Sequence, residues 1–278
     1  MLSGGNKTGA MERYLDVACT AARTAGAVLL EFLGKLAEVD EKSPGNLVTA
    51  ADRAAEAQIL AVIRRHFPEH AILAEESGRV AGSENRFLWA VDPLDGTTNF
   101  AHRYPAFAVS IGLLIDGEPA VGVVYEPLRD ELFFAAQGLG AFLNYRPIRV
   151  STTAHLSKSL LVTGFAYDRR ETDDNNYAEF CHFTHLSQGV RRGGSASLDL
   201  AYVAAGRLDG YWERGLSPWD IVAGIVLVRE AGGTVSAYDG SPFEIDSGRI
   251  LANNGLLHTA MIQELAKVHP LPVRFPMG

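Results

Sequence analysis

Two cysteines, Cys19 and Cys181, are the only thiols in 278 residues, and no C-x-x-C spacing relates them. That argues against a disulfide framework or a cysteine metal site and leads us to expect a reduced, cytoplasmic setting. Long apolar runs are also missing. The longest, AFAVSIGLLI at 106–115, is about half of the roughly 20 residues a spanning helix needs, so no membrane segment is expected. The N-terminus lacks the charged-then-apolar pattern of a signal peptide. Basic runs stop at the doublets Arg64-Arg65, Arg169-Arg170 and Arg191-Arg192 under a net charge of −8, which argues against nucleic acid as the primary ligand. Aromatic residues are sparse at 9% while glycines number 28, a balance that suits the tight strand–helix turns of a mixed α and β protein better than a β-sandwich.

What is present can bury a large core: 47% of the residues are hydrophobic, enough for one large domain or two closely packed halves. The acidic excess also allows divalent cations to bind and, through them, an anion. Residues 1–10 read as a polar, Gly-rich tail. From Met11, Leu15, Ala18, Ala22, Ala25, Leu29 and Leu33 recur at three- and four-residue spacing and predict a helix over 11–36. A polar loop, AEVDEKSPGN, precedes a second helix from Ala50 to His66. Short β-like runs follow at 71–74, 87–91, 107–115, 120–126 and 131–136, the last three as an antiparallel meander. Beyond Asn144, strands at LLVTGF, LDGYWE, TVSAY and RILAN alternate with helices near 172–185, at SASLDLAYVAAG, at SPWDIVAGIVLVREAGG and at 255–268. The expected organisation is α+β to α/β, with an N-terminal part over 11–150 and a C-terminal α/β layer over 151–270, sharing packing across 145–155.

The string WAVDPLDGTTNF, residues 89–100, leaves an apolar strand through two aspartates three apart. Pro93 bars ladder pairing and brings Asp92 and Asp95 to the same side. Two carboxylates so close repel unless one is protonated or a cation lies between them. Hard cations such as Mg²⁺ take oxygen ligands, backbone carbonyls included, and the Leu94 carbonyl lies between the two acids. The N–H groups of Gly96, Thr97 and Thr98 offer an anion cradle if a helix starts there. An Asp turn capping its own backbone is the structural alternative. Glu75 and Glu76 in LAEESG end another short strand and read either as solvated acids or as a further carboxylate source. In GLSPWDIVAG, Ser217 reads as an N-cap, Pro218 as the first helical residue and Asp220 as a capping-box partner, a role compatible with reaching a metal.

Taken together, E-E-S at 75–77, WAVDPLDGTTNF at 89–100 and WDIVAGIVLVREAGG at 219–233 resemble the signature motifs of the inositol monophosphatase family, in order and at similar separations. NLVTAAD at 46–52 and GGSASLDLAYVAAG at 193–206 extend the resemblance over about 11–268. It implies a layered α-β-α-β-α sandwich of the sugar-phosphatase type. It also implies Mg²⁺-dependent hydrolysis of inositol monophosphate by a metal-activated water, with no phosphoenzyme, as a lithium-sensitive homodimer. Matched by motif, Glu75, Asp92, the Leu94 carbonyl, Asp95 and Asp220 would hold two or three Mg²⁺ ions. By the same resemblance, Thr97, hydrogen-bonded to Asp52, would help orient and deprotonate the water, and Glu75 would also be catalytic. The resemblance further implies that Leu94, Asp95, Gly96, Thr97, Gly194, Ser195, Ala196, Glu213 and Asp220 would meet the small phosphorylated polyol substrate.

Relatives with this metal core also act on fructose 1,6-bisphosphate, histidinol phosphate or 3′-phosphoadenosine 5′-phosphate. An aspartyl-phosphate phosphatase and a non-catalytic regulatory protein are the readings from other classes. The loop at Ser43-Pro44-Gly45 is shorter than in some relatives. Gly138-Leu139-Gly140 reads as a hairpin turn, His182 and His185 as helix-surface residues, and Trp89, Asn99 and Phe100 as packing around the turn.

Overall fold

The structure, a computed structural model, describes residues 4–35, 39–43 and 46–271. An outer layer holds α1 (Gly4–Phe32) and α2 (Ala50–His66), with a small hairpin between them, β1 (Val39–Ser43) and β2 (Asn46–Thr49). Two segments differ from the sequence pattern. Residues 4–10 belong to α1: a glycine costs only about 1 kcal/mol in a helix, and extending a long amphipathic helix is cooperative. The polar loop supplies the first strand of the hairpin, and its last residue begins the second strand, NLVT, which is β-prone in composition. Pro44 and Gly45, in the loop read as short, lie outside the described residues.

The helices cover one face of an eight-stranded sheet. Its strands are β3 (His70–Ala74), β4 (Gly78–Val80), β5 (Glu84–Asp95), β6 (Ala108–Ile115), β7 (Glu118–Glu126), β8 (Glu131–Ala136), β9 (Gly140–Leu143) and β10 (Arg146–Pro147). They lie in the order β10-β9-β8-β7-β6-β5-β3-β4, antiparallel except where β3 meets β5. Pro93 interrupts the ladder only locally: pairing stops at Asp92–Ser110 and resumes at Asp95–Ala108, so Pro93 and Leu94 form a bulge rather than a strand end. Leu29, Ile59, Val91, Ile111 and Val123 belong to the core on this face.

On the other face, α5 (Ala196–Ala204) and α6 (Pro218–Glu230) are sandwiched against a second sheet of β11 (Leu160–Thr163), β12 (Gly189–Arg191), β13 (Gly210–Arg214), β14 (Thr234–Ser236) and β15 (Arg249–Asn253). This sheet has the order β12-β11-β13-β15-β14. The middle core joins Val124 and Phe133 of the first sheet to Leu200, Ile225 and Tyr211, so packing runs across residues 145–155. A last layer, α4 (Tyr177–Leu186) and α7 (His258–Leu265), closes over Trp212 and Leu251. Helices and sheets therefore alternate as a layered α+β sandwich. Glycine lets α6 approach closely: Gly112 and Gly122 are cross-strand partners, and a Cβ on Gly122 would lie 2.2 Å from the Ala223 carbonyl oxygen. The Gly138–Gly140 turn joins β8 to β9, with both N–H groups donating to Glu230.

Candidate active site

Three chain segments meet above the junction of the layers. Glu75, Glu76 and Ser77 form the turn between β3 and β4. That turn is anchored from α2: Glu56, buried, accepts the N–H groups of Glu76 (2.8 Å) and Ser77 (3.0 Å). The β5 bulge supplies the second segment. Asp92 accepts the Leu94 N–H at 2.9 Å, which fixes the bulge and presents the Leu94 carbonyl. Gly96 follows with φ 96°, a left-handed conformation that opens the short helix α3 (Thr97–Ala101). The third segment is the first turn of α6, where Asp220 accepts the Ser217 N–H at 2.7 Å and Pro218 occupies the first turn, as the capping pattern predicts.

A cleft of ≈ 360 Å³ unites these segments, and Glu75, Asp92, Leu94, Asp95 and Asp220 all line it. Gly96, Thr97, Gly194, Ser195, Ala196 and Glu213 line it as well. Asp52 stands behind Thr97. Its Oδ2 accepts from the Thr49 N–H (2.8 Å) and hydroxyl (2.6 Å), capping α2, while Oδ1 faces the Thr97 hydroxyl at 3.2 Å. The same hydroxyl lies 3.1 Å from the Leu94 carbonyl.

The electrostatics are those of unneutralised acid. Burial, followed by the charges of Glu75, Asp95 and Asp220 and a hydrogen bond with Glu75, pushes Asp92 well above the usual carboxylate range. Burial and then Asp95 do the same to Asp220, against the opposing Ser217 N–H. Asp95 is raised by burial but moderated by donors from the start of α5: the Ser195 hydroxyl (2.8 Å), the Ser197 hydroxyl (2.6 Å) and the Ser197 N–H (2.7 Å). At the far end, burial pushes Glu213 up to about 7, while Tyr211, donating at 2.6 Å, opposes the shift.

The donor set suits a hard divalent cation: it is all oxygen, mostly carboxylate, with one backbone carbonyl. Among the described residues, no three His, Cys, Asp or Glu side chains are already gathered as a metal site. A cation in the shared cleft would neutralise the mutual repulsion of these acids.

Several contributors are not legible as site residues. Glu56 carries the Glu75 turn, although its place on the Asp52, Glu56, Ile59, Ile63 face of α2 puts an acid where an apolar residue is expected. Asn99, read as packing, bridges the Ala106 carbonyl (2.6 Å) and the Gly193 carbonyl (2.9 Å), tying the β5 turn to the start of α5. Tyr167, which no spacing pattern marks, also lines the cleft, as do Arg169 and Arg192 of two of the basic doublets. His182 pairs with Glu264 at 2.8 Å on the outer layer, away from the cleft.

The sequence model of the inositol monophosphatase family matches residues 10–269. An inositol-1-monophosphatase of Synechocystis is 63% identical over 257 residues, covering 92% of this chain and 90% of that protein. Nus factor SuhB of Pseudomonas aeruginosa is 45% identical over 258 residues, covering 91% and 95%. The solved structure of inositol monophosphatase from Anabaena (Nostoc) superposes with a TM-score of 0.87 at 63% identity, covering 94% of this chain and 98% of that one.

Proposed function

Since the chain belongs to the inositol monophosphatase family and is a phosphatase, we propose that it hydrolyses inositol monophosphate to inositol and phosphate in a Mg²⁺-dependent reaction. The observation that carries this reading is the meeting of Glu75, Asp92, the Leu94 carbonyl, Asp95 and Asp220 in one cleft. These groups would hold two or three Mg²⁺ ions. Divalent cations bound there supply Lewis acidity to the phosphoryl oxygens and make water nucleophilic near neutral pH.

The rest follows from the chain's own groups. The Thr97 hydroxyl gives its hydrogen to Asp52 Oδ1 and keeps its lone pairs for the attacking water, so it orients that water and takes up its proton. Burial raises Asp52, which fits it to receive a proton in turn. Glu75, which lines the same cleft, is assigned to that water as well. Gly96, Gly194, Ser195 and Ala196 place backbone groups against the phosphate, and the Glu213 carboxylate accepts hydrogen bonds from the polyol hydroxyls. Direct attack by water is favoured over an aspartyl-phosphate because two residues separate Asp92 from Asp95, one more than in the D-x-D-G-T pattern of aspartyl-phosphate phosphatases. The cytoplasm and a homodimer complete the reading. No helix among the described residues is long and apolar enough to cross a membrane.

The test is phosphate release from inositol monophosphate with Mg²⁺, with EDTA, and in Asp95→Asn. Release is expected to need Mg²⁺, to be inhibited by Li⁺, and to fall at least 100-fold in the variant. Full activity in EDTA would overturn the proposal.

A further inference from the structure

We propose that residues 164–176, the segment between β11 and α4, form a specificity lip of the cleft, with Arg214 as the positioning residue that holds it through Asp168. The inference rests on the phosphatase reading above and assigns the part of the site that meets the non-reacting portion of a polyol phosphate.

The lip is tied at its base. Asn176, buried and left-handed at φ 67°, donates to the Thr163 hydroxyl and the Gly164 carbonyl, each at 2.7 Å, and accepts from Trp212 Nε1 at 2.7 Å. One amide thus binds both ends of the loop to the second sheet, as in a compact Ω-type loop. Its back is held by charge. The Arg214 side chain, only 12% exposed, donates to both Asp168 oxygens at 2.6 and 3.2 Å. Such a fork is geometrically specific, and its partial burial lifts it above an ordinary surface pair.

Across the β13–β15 ladder, Arg214 faces Arg249. Like charges opposite one another are destabilising unless an anion lies between them. Asp174 of the lip supplies it: one carboxylate oxygen bonds Arg249 and lies 3.7 Å from Arg214 Nε. The front of the lip faces the cleft with Tyr167, half exposed, and Arg169, which keeps one nitrogen on the Ala166 carbonyl at 3.1 Å. A phenol and a guanidinium supply donors for the hydroxyls of a polyol that extends beyond its phosphate. Position is set from Arg214, which directly follows Glu213 in β13, so the polyol-facing carboxylate and the clamp of the lip share one strand.

The experiment compares wild type with Arg214→Gln and Arg214→Lys on inositol monophosphate and follows amide hydrogen exchange. Arg214→Gln is expected to raise KM about tenfold with kcat within twofold. It should also speed exchange at 166–174 at least tenfold while leaving α5 and α6 unchanged, and Arg214→Lys should recover part of both effects. Tyr167→Phe and Arg169→Gln should each raise KM without altering that exchange. An unchanged KM in Arg214→Gln overturns the inference, as does exchange that accelerates across α5 and α6 together. If the wild type releases no phosphate from inositol monophosphate, the function proposed above fails. Exchange still decides the clamp in that case, since unaltered rates at 166–174 overturn it.

Discussion

Asp52 and Thr97, 45 positions apart, are joined by a 3.2 Å hydrogen bond that links the capping box of α2 to the edge of the acidic cleft. Thr49 fills one Asp52 oxygen with two donors and leaves the other for Thr97, so the aspartate cannot turn away without uncapping its helix. If this pair moves the proton of the attacking water, Thr97→Val should lower kcat by about 100-fold or more with KM nearly unchanged, in the range of general acid–base catalysis. Thr97→Ser should stay within about tenfold of wild type. Steady-state phosphate release measures both, and equal losses in the two variants would exclude a role for the hydroxyl.

The carboxylates of the cleft should destabilise the protein in the absence of cations. Burial and three neighbouring charges oppose ionisation of Asp92, so Asp92→Asn removes repulsion and should raise Tm in EDTA. Added Mg²⁺ should raise the wild-type Tm by mass action, about 2.7 kcal/mol of stabilisation at 100 times Kd, and should raise that of the variant much less. Thermal unfolding with and without Mg²⁺ reads both effects. A variant whose response to Mg²⁺ equals that of the wild type would remove Asp92 from the proposed ligands.

Much of this site was legible because its chemistry is local. D-P-L-D-G-T and S-P-W-D each set their own turn, so the positions of Asp92, Asp95 and Asp220 follow from the sequence. The antiparallel meander was legible for the same reason, since β6, β7 and β8 are sequence neighbours joined by short turns. Contacts closed by tertiary structure were not. Glu56 reaches the Glu75 turn 20 residues on, Asn99 reaches Gly193, and Arg214 reaches back to Asp168. In each case an ordinary polar residue acquires its role from a partner that no spacing rule identifies. The start of α1 was missed because glycines suggest a tail, whereas helix extension depends on the whole amphipathic segment.

His70 should impose an acid-side limit on stability. Its ring stacks on Phe67 and Phe87 and accepts from Trp89 Nε1 at 3.1 Å, and burial lowers its pKa below the ordinary 6.5. Below pH 6.5 the unfolded chain binds a proton that the folded ring refuses, so stability falls as pH drops from 6.5 toward the lowered folded pKa. Above 6.5 both states are neutral and the effect disappears. Urea unfolding between pH 5 and 7.5 should show a smaller slope in His70→Phe than in wild type, even though the variant loses the bond from Trp89. Identical slopes would show that His70 takes no part.

Gly122 should be among the positions least tolerant of a methyl group. It lies in the middle of β7, opposite Gly112 of β6, and both face the backbone of α6. A Cβ on Gly122 would meet the Ala223 carbonyl oxygen at 2.2 Å and its Cα at 2.8 Å, atoms that cannot rotate aside as a side chain can. At Gly112 the nearest atom is Val222 Cγ1 at 2.4 Å, which a rotamer change can move, while the fixed atoms, Val222 Cβ at 2.8 Å and the Ala223 nitrogen at 3.0 Å, are farther off than the carbonyl oxygen that Gly122 meets. Overpacking typically costs about 1–3 kcal/mol, and Gly122→Ala should reach or exceed the top of that range while Gly112→Ala costs less. Because Asp220 lies in the first turn of α6, the displaced helix should also weaken Mg²⁺ binding in Gly122→Ala, so the shift in Tm on adding Mg²⁺ should shrink along with the stability. Chemical denaturation and Mg²⁺ titration of the two variants provide the comparison. Equal costs at the two glycines would mean that α6 is free to shift away from the sheet.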